Sequence, residues 1–306
     1  MAWIGYYLFI IPFSYLPMGV LYLFTDFFYL LIITVAPYRK TVIRENLTRS
    51  FPNKSVKEIK KLQRKFYRHF TDILAEGIKN LTISERSLRK RFLVKNPELL
   101  QDLFDRNRNT LLVSGHFNNW EWFISAQPLL LPHASYGIGM PMTSKFWDKK
   151  INSRRERFGM NVIHSKNYKK TLKEAKETLN AVLVLSDQSP GDSSKSYWMN
   201  FMEQETAVLF GTEIMAHELD YSVVYFATRK VHRGHYELEF KMISDNPSSA
   251  QWGEITEAHT RLLEKEIVAN PHQWLWSHKR WKRELPKDLN QLKKEQREKF
   301  NAKYFT

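Results

Sequence analysis

His116 stands in the stretch VSGHFNNWEW, residues 113–122, between a short apolar run and a tryptophan-rich segment whose one acid is Glu121. An imidazole with one nitrogen held by a carboxylate has a fixed tautomer and raised basicity, so its other nitrogen can take a proton from an attacking hydroxyl. That chemistry casts His116 as general base and Glu121 as its orienter. Positions five apart in an ideal helix are about 140° out of register, so the histidine must precede a helix and the glutamate must lie in its first turn. The same spacing also suits a histidine and a glutamate that only cap a helix, and on spacing alone both readings stand.

The elements around the pair fit the first requirement. The runs NTLLVSG, AVLVLSDQSPG, YSVVYFATR and YELEFKMI predict strands, the last alternating with period two. Helices are predicted from Trp120 to about Leu130, Phe146 to about Arg157, Lys169 to about Leu179 and Gly211 to about Leu219. Strand followed by helix, repeated, predicts an α/β fold with a mixed central sheet covered by helices. His116 then falls at the carboxyl end of a strand, where open α/β sheets bind their ligands.

In residues 1–37 the only side-chain charge is Asp26, and Arg39 and Lys40 follow at once. A bilayer span takes roughly 20 apolar residues, so this segment is expected to anchor the chain in a membrane. It would do so as one tilted helix or as two short pieces bent near Pro12 and Pro17; a buried hairpin in a soluble protein is the alternative. A cleaved signal peptide would need a basic leader and a shorter apolar core. The basic residues after the segment predict residues 38 onward in the cytoplasm. Ser55 and Glu58 read as a capping box. Ile59, Leu62, Phe66, Phe70, Ile73 and Leu74 then recur at helical spacing, with Lys57, Lys60, Lys61, Arg64, Lys65 and Arg68 on the other face. That basic face is either solvated or set against anionic headgroups.

Composition narrows the chemistry further. The 306 residues contain no cysteine, which excludes disulfides, thiolate metal sites and a cysteine nucleophile. A 43% hydrophobic content excludes a disordered chain, and a net charge of +15 implies an anionic partner. There is no recognised nucleic-acid module, so no nucleic acid is expected. A serine hydrolase lacks its G-x-S-x-G elbow. His232 and His235 show no metal-ligand spacing with acids, and neither metal nor cofactor is expected.

Ordered motifs extend the pattern along most of the chain: YRKTVIRENLTRSFP after the apolar segment, GHFNNWE as H-x4-D/E, RRERFG from Arg154 to Gly159, SDQSPG from Ser186 to Gly191, and PHQWLWSHKRWK from Pro271 to Lys282. Together they resemble the bacterial lipid A biosynthesis acyltransferases of the lysophospholipid acyltransferase superfamily. The resemblance implies a membrane-associated O-acyltransferase. It would move a fatty acyl group from an acyl carrier protein or CoA thioester to a hydroxyl of a lipid A precursor or related lipid, on the cytoplasmic face of the inner membrane, without an acyl-enzyme. A lysophospholipid or aminolipid acceptor is the alternative, and a non-catalytic membrane-binding protein the remote one.

On that resemblance His116 and Glu121 are catalytic. Arg154 or Arg157 offsets the oxyanion or grips an acceptor phosphate, unless both lie on a solvated helix face. Asp187 and Gln188 bind acceptor groups or cap a turn. His278 and Arg280, among Trp274, Trp276 and Trp281, belong to a lipid-facing belt or to a packed core. The implied domains are an anchor at 1–37, an acyltransferase domain at 38–285 with a helical lead-in at 38–95, and a charged tail at 286–306. GIGMPMTSKF and YWMNFMEQETAV depart from the family's usual residues, with Met140 in the first where a basic residue is common.

Overall fold

A computed structural model describes residues 2–35, 38–175 and 177–305. Its centre is a seven-stranded sheet of β1 (Phe92–Val94), β2 (Thr110–Ser114), β3 (Ala134–Gly139), β4 (Asn161–His164), β5 (Asn180–Leu185), β8 (Ser222–His232) and β9 (His235–Ser244), in the order β1-β9-β8-β2-β5-β3-β4. All neighbouring strands run parallel except β8 and β9, an antiparallel hairpin, so the sheet is mixed as expected. The strands β6 (Tyr197–Phe201) and β7 (Gln204–Val208) form a separate two-stranded ribbon. β2 is buried over its whole length, which is why its sequence reads as an uninterrupted apolar run.

The connections define where a ligand can sit. The chain leaves β2 for β3, beyond β5, whereas after β5 it next enters the sheet at β8, beyond β2. Right-handed crossovers in opposite directions put their helices on opposite faces. Accordingly the Trp120–Leu130 helix packs with Leu112, Ala181, Leu183 and Val224, and the Gly211–Leu219 helix packs with Leu111, Val113, Val182 and Val223. The carboxyl ends of β2 and β5 therefore flank a topological switch point, an open crevice between two diverging loops.

Helices at Trp120–Leu130 and Gly211–Leu219 match expectation, and Lys145–Arg155 lies close to it. The helix near Lys169 is shorter, Tyr168–Glu174, because Ala175 ends it in a turn whose carbonyl accepts from Thr178 N–H and Asn180 Nδ2. A helix at Glu254–Ala269 was not foreseen. The charged tail forms the Leu289–Tyr304 helix, which is not wholly solvated: Phe300 is buried against Phe210 and His217.

The Ser55–Glu58 capping box is present and opens the Val56–Lys79 helix. The N-terminal apolar segment is helical from residue 2 to 15, breaks at Leu16 and Pro17, and resumes as the Met18–Thr34 helix. It is thus two pieces rather than one, and among the described residues no helix is long and apolar enough to cross a membrane. Leu21 and Tyr22 pack on Ala75 and Ile78 of the Val56–Lys79 helix, while Trp3, Leu8, Phe9, Tyr15, Leu23, Phe27 and Leu30 remain exposed. Asp26, the one charge of the segment, faces Arg233 and Arg68, and Arg233 also pairs with Asp72.

Candidate active site

Strand register builds the centre of the site. Ser114 and Leu185 are paired neighbours at the ends of β2 and β5. Two residues further along each chain come His116 and Asp187, level with one another across adjacent strands roughly 4.8 Å apart. The Asp187 Oδ1 lies 2.6 Å from His116 Nδ1, and Oδ2 accepts the His116 backbone N–H at 2.9 Å and Trp274 Nε1–H at 2.8 Å. Gly115 is required between them: a Cβ there would lie 2.6 Å from Leu263 Cδ2 and 3.0 Å from Asp187 Cγ. Burial would push the Asp187 carboxyl up, but His116, the two N–H donors and the imidazole contact override it and hold the pKa at about 2.

With Nδ1–H donated to this carboxylate, Nε2 carries the lone pair, and the Gln188 amide donates to it at 3.2 Å. Trp120 packs edge-on against the ring, centroids 5.0 Å apart. His116, Gln188 and Arg155 open on a cavity of about 410 Å³. Its other walls include Ile124, Val162, Leu183, Leu185 and Leu209, with Gly139 of β3 leaving open space where a side chain would stand. A basic nitrogen at the end of an apolar cavity is suited to abstracting a proton beside a bound hydrocarbon chain.

Glu121 does not face His116. It lies in the first turn of its helix, as expected, but its carboxylate is taken by two guanidinium groups: Arg154 Nη2 donates to Oε2, and Arg155 donates through Nη2 to Oε1 at 2.5 Å and through Nε to Oε2 at 3.2 Å. Burial opposes ionisation there, yet the two arginines hold the carboxyl at about 2. The orienter's place belongs to Asp187 because strand register sets it level with the histidine, while a first-turn helical side chain points away toward the Lys145–Arg155 helix.

The family of bacterial lipid A biosynthesis acyltransferases matches residues 1–283 of this chain. The chain belongs to this family. The lipid A biosynthesis palmitoleoyltransferase of Escherichia coli (strain K12) is 24% identical over 252 residues, covering 80% of this chain and 79% of that one. The lipid A biosynthesis lauroyltransferase of the same organism is 24% identical over 251 residues with the same coverage.

The remaining residues singled out from the sequence of this acyltransferase turn out to be committed to the protein. Arg154 also reaches the Gly77 carbonyl at 3.3 Å, and Arg157 binds the carbonyls of Asn80 and Ile83 at 2.6 and 2.9 Å. Arg155, overlooked in the sequence, is the arginine that lines the cavity. His278 Nε2 accepts the Ser189 N–H at 3.0 Å, and burial holds its pKa at about 4 despite the pull of Asp187. Arg280 is buried and donates to the Ala207 carbonyl at 2.8 Å; burial lowers its pKa to about 10.

The ordered motifs prove to be one hydrogen-bonded shell around the His116–Asp187 pair. Asn46, in RENLTRSFP, donates to the Trp276 and His278 carbonyls at 2.9 Å, and Arg39 donates to that of Ser277 at 2.9 Å. The closing motif in turn holds Asp187 through Trp274 and the adjoining loop through His278. Behind His116, Asn119 caps the Trp120–Leu130 helix and donates to buried Glu76 at 2.5 Å; Glu76 also accepts from Tyr22 at 2.7 Å and Tyr236 at 2.6 Å. Burial raises the Glu76 carboxyl although these three donors favour its ion. Glu76 was not singled out in the sequence because its partners come from three distant segments.

Proposed function

We propose that this acyltransferase moves a fatty acyl group from a carrier-protein or CoA thioester to a hydroxyl of a lipid A precursor, with His116 as general base and Asp187 as its orienter. The observation that carries the reading is the pairing of half-buried His116 with buried Asp187, with His116 opening on a largely apolar cavity. Nε2 takes the acceptor hydroxyl proton as its oxygen attacks the thioester carbonyl, and Asp187 stabilises the imidazolium so formed. The tetrahedral intermediate collapses by breaking the C–S bond, and the imidazolium returns the proton to the leaving thiolate. Arg155, whose Nη1 makes no hydrogen bond among the described residues, is the cation placed to offset the oxyanion or an acceptor phosphate. Glu121 fixes that arginine.

The two N-terminal helical pieces seat the enzyme on the cytoplasmic face of the inner membrane by lying in one leaflet. Its exposed aromatic and aliphatic side chains and the basic face of the Val56–Lys79 helix support this reading. The test incubates wild-type, His116→Ala and Asp187→Asn enzymes with a long-chain acyl carrier protein thioester, the matching acyl-CoA, and a panel of lipid A precursor, lysophospholipid and aminolipid acceptors. Products are identified by mass spectrometry. Transfer to the lipid A precursor that disappears in both variants is expected; transfer that survives His116→Ala refutes the assignment of the base.

A further inference from the structure

A second concave site lies away from the His116 cavity and shares no lining residue with it. Between the Met18–Thr34 and Val56–Lys79 helices, Phe28, Leu31, Val35, Tyr38, Phe70 and Leu74 line a groove of about 440 Å³. Phe28, Leu31 and Val35 recur at helical spacing and form one wall; Phe70 and Leu74, one turn apart, form the other. Tyr38 closes one end, its ring stacked on Phe70 at 5.7 Å and 6°. The turn that carries Tyr38 is pinned, since the Tyr38 carbonyl accepts from Tyr67 and the Lys40 carbonyl from Gln63, both at 2.8 Å.

Three basic side chains flank that end. Lys40 comes two residues after the closing tyrosine, and Lys60 and Arg64, exposed, flank Gln63, whose amide holds the Lys40 carbonyl. Among the described residues none of these three has a carboxylate partner within ion-pair distance. An apolar groove that ends at a cluster of cations is complementary to an anionic amphiphile, and the groove continues the exposed apolar surface of the N-terminal segment.

We propose that this groove is a discrete site for one acyl chain of an anionic glycerophospholipid, whose headgroup phosphate sits against Lys40, Lys60 and Arg64. The site is separate from the acceptor and donor, and it makes the seating of the enzyme selective for anionic bilayers. The proposal rests on the membrane-seated reading above.

Native mass spectrometry from detergent micelles doped with dioleoyl phosphatidylglycerol or dioleoyl phosphatidylcholine tests it. A single retained phosphatidylglycerol adduct is expected, and none with phosphatidylcholine. Val35→Trp with Leu74→Trp fills the groove from two exposed positions and abolishes the adduct. Lys40→Gln with Arg64→Gln weakens it by roughly thirtyfold, two basic groups being removed from an anionic contact. An adduct that survives groove filling, or equal retention of the two lipids, overturns the site. Flotation with anionic vesicles is run in parallel: wild-type enzyme that floats without forming the adduct refutes the groove alone, whereas wild-type enzyme that does not float refutes the membrane-seated reading.

Discussion

Replacing Asp187 by asparagine keeps the volume of the side chain and removes its charge, and the surrounding donors dictate how the imidazole responds. In the wild type one carboxylate oxygen takes Nδ1–H of His116 at 2.6 Å, and the other takes two N–H groups, from the His116 backbone and from Trp274. An asparagine has one acceptor oxygen. If that oxygen satisfies the two N–H donors, the amide nitrogen faces Nδ1, which must then accept, and the imidazole proton moves to Nε2. The base is left with no lone pair toward the acceptor hydroxyl, and the imidazolium of the transition state loses its counter-charge. A wrong tautomer of this kind lowers kcat by about 10³- to 10⁴-fold in hydroxyl-activating triads, with little change in KM.

The stability change has its own signature. A carboxyl held at about 2 rather than near its ordinary value favours the folded ion by roughly 2–3 kcal/mol. Its folded pKa is depressed, so this contribution is complete above about pH 4 and is lost as pH falls through about 2. Single-turnover rates with an acyl carrier protein thioester, read beside urea denaturation at neutral and acid pH, check both parts. A folded Asp187→Asn enzyme that keeps kcat within about tenfold of wild type would refute the dyad, as would a loss confined to KM.

Three further changes separate the groups around the dyad. Glu121→Gln leaves Arg154 and Arg155 without their counter-charge and is expected to lower stability by about 3 kcal/mol in chemical denaturation; a stability within about 1 kcal/mol of wild type would show that this ion cluster does not hold the helix in place. Gly115→Ala drives a Cβ against Leu263 and Asp187 and is expected to cost roughly 1–3 kcal/mol together with kcat. Gly191→Ala, whose added Cβ meets nothing within 4 Å, is its control and is expected to leave both unchanged in the same melts and assays. Glu76→Ala strands the Tyr22, Tyr236 and Asn119 donors, and a drop of at least about 3 kcal/mol in the unfolding free energy is expected; a loss below about 1 kcal/mol would show that the buried network is not a determinant of stability.

Local chemistry made much of this protein legible in one dimension. Buried strands are continuous apolar runs and the half-buried β9 alternates with period two, so β2, β5, β8 and β9 were readable, and the capping box announced the Val56–Lys79 helix because its atoms lie within one turn of chain. His116 at a strand end emerged from the same local signals. The short strands β1 and β4 and the Glu254–Ala269 helix carry weaker periodicity, and they take their form from the neighbours they pair with or cover. Asp187 was visible as a polar residue after a strand, but its role was not: only the pairing of Ser114 with Leu185 sets it level with His116. Glu121 illustrates the converse, since closeness in sequence suggested a partnership that the outward direction of a first-turn side chain prevents. The choice among Arg154, Arg155 and Arg157 belongs to packing as well, because three guanidinium groups within four residues point to a carboxylate, a cavity and two carbonyls only once the helix is docked. Sequence determined which groups were present and which local elements carried them; strand register and the docking of distant segments, which no local pattern encodes, decided which groups meet.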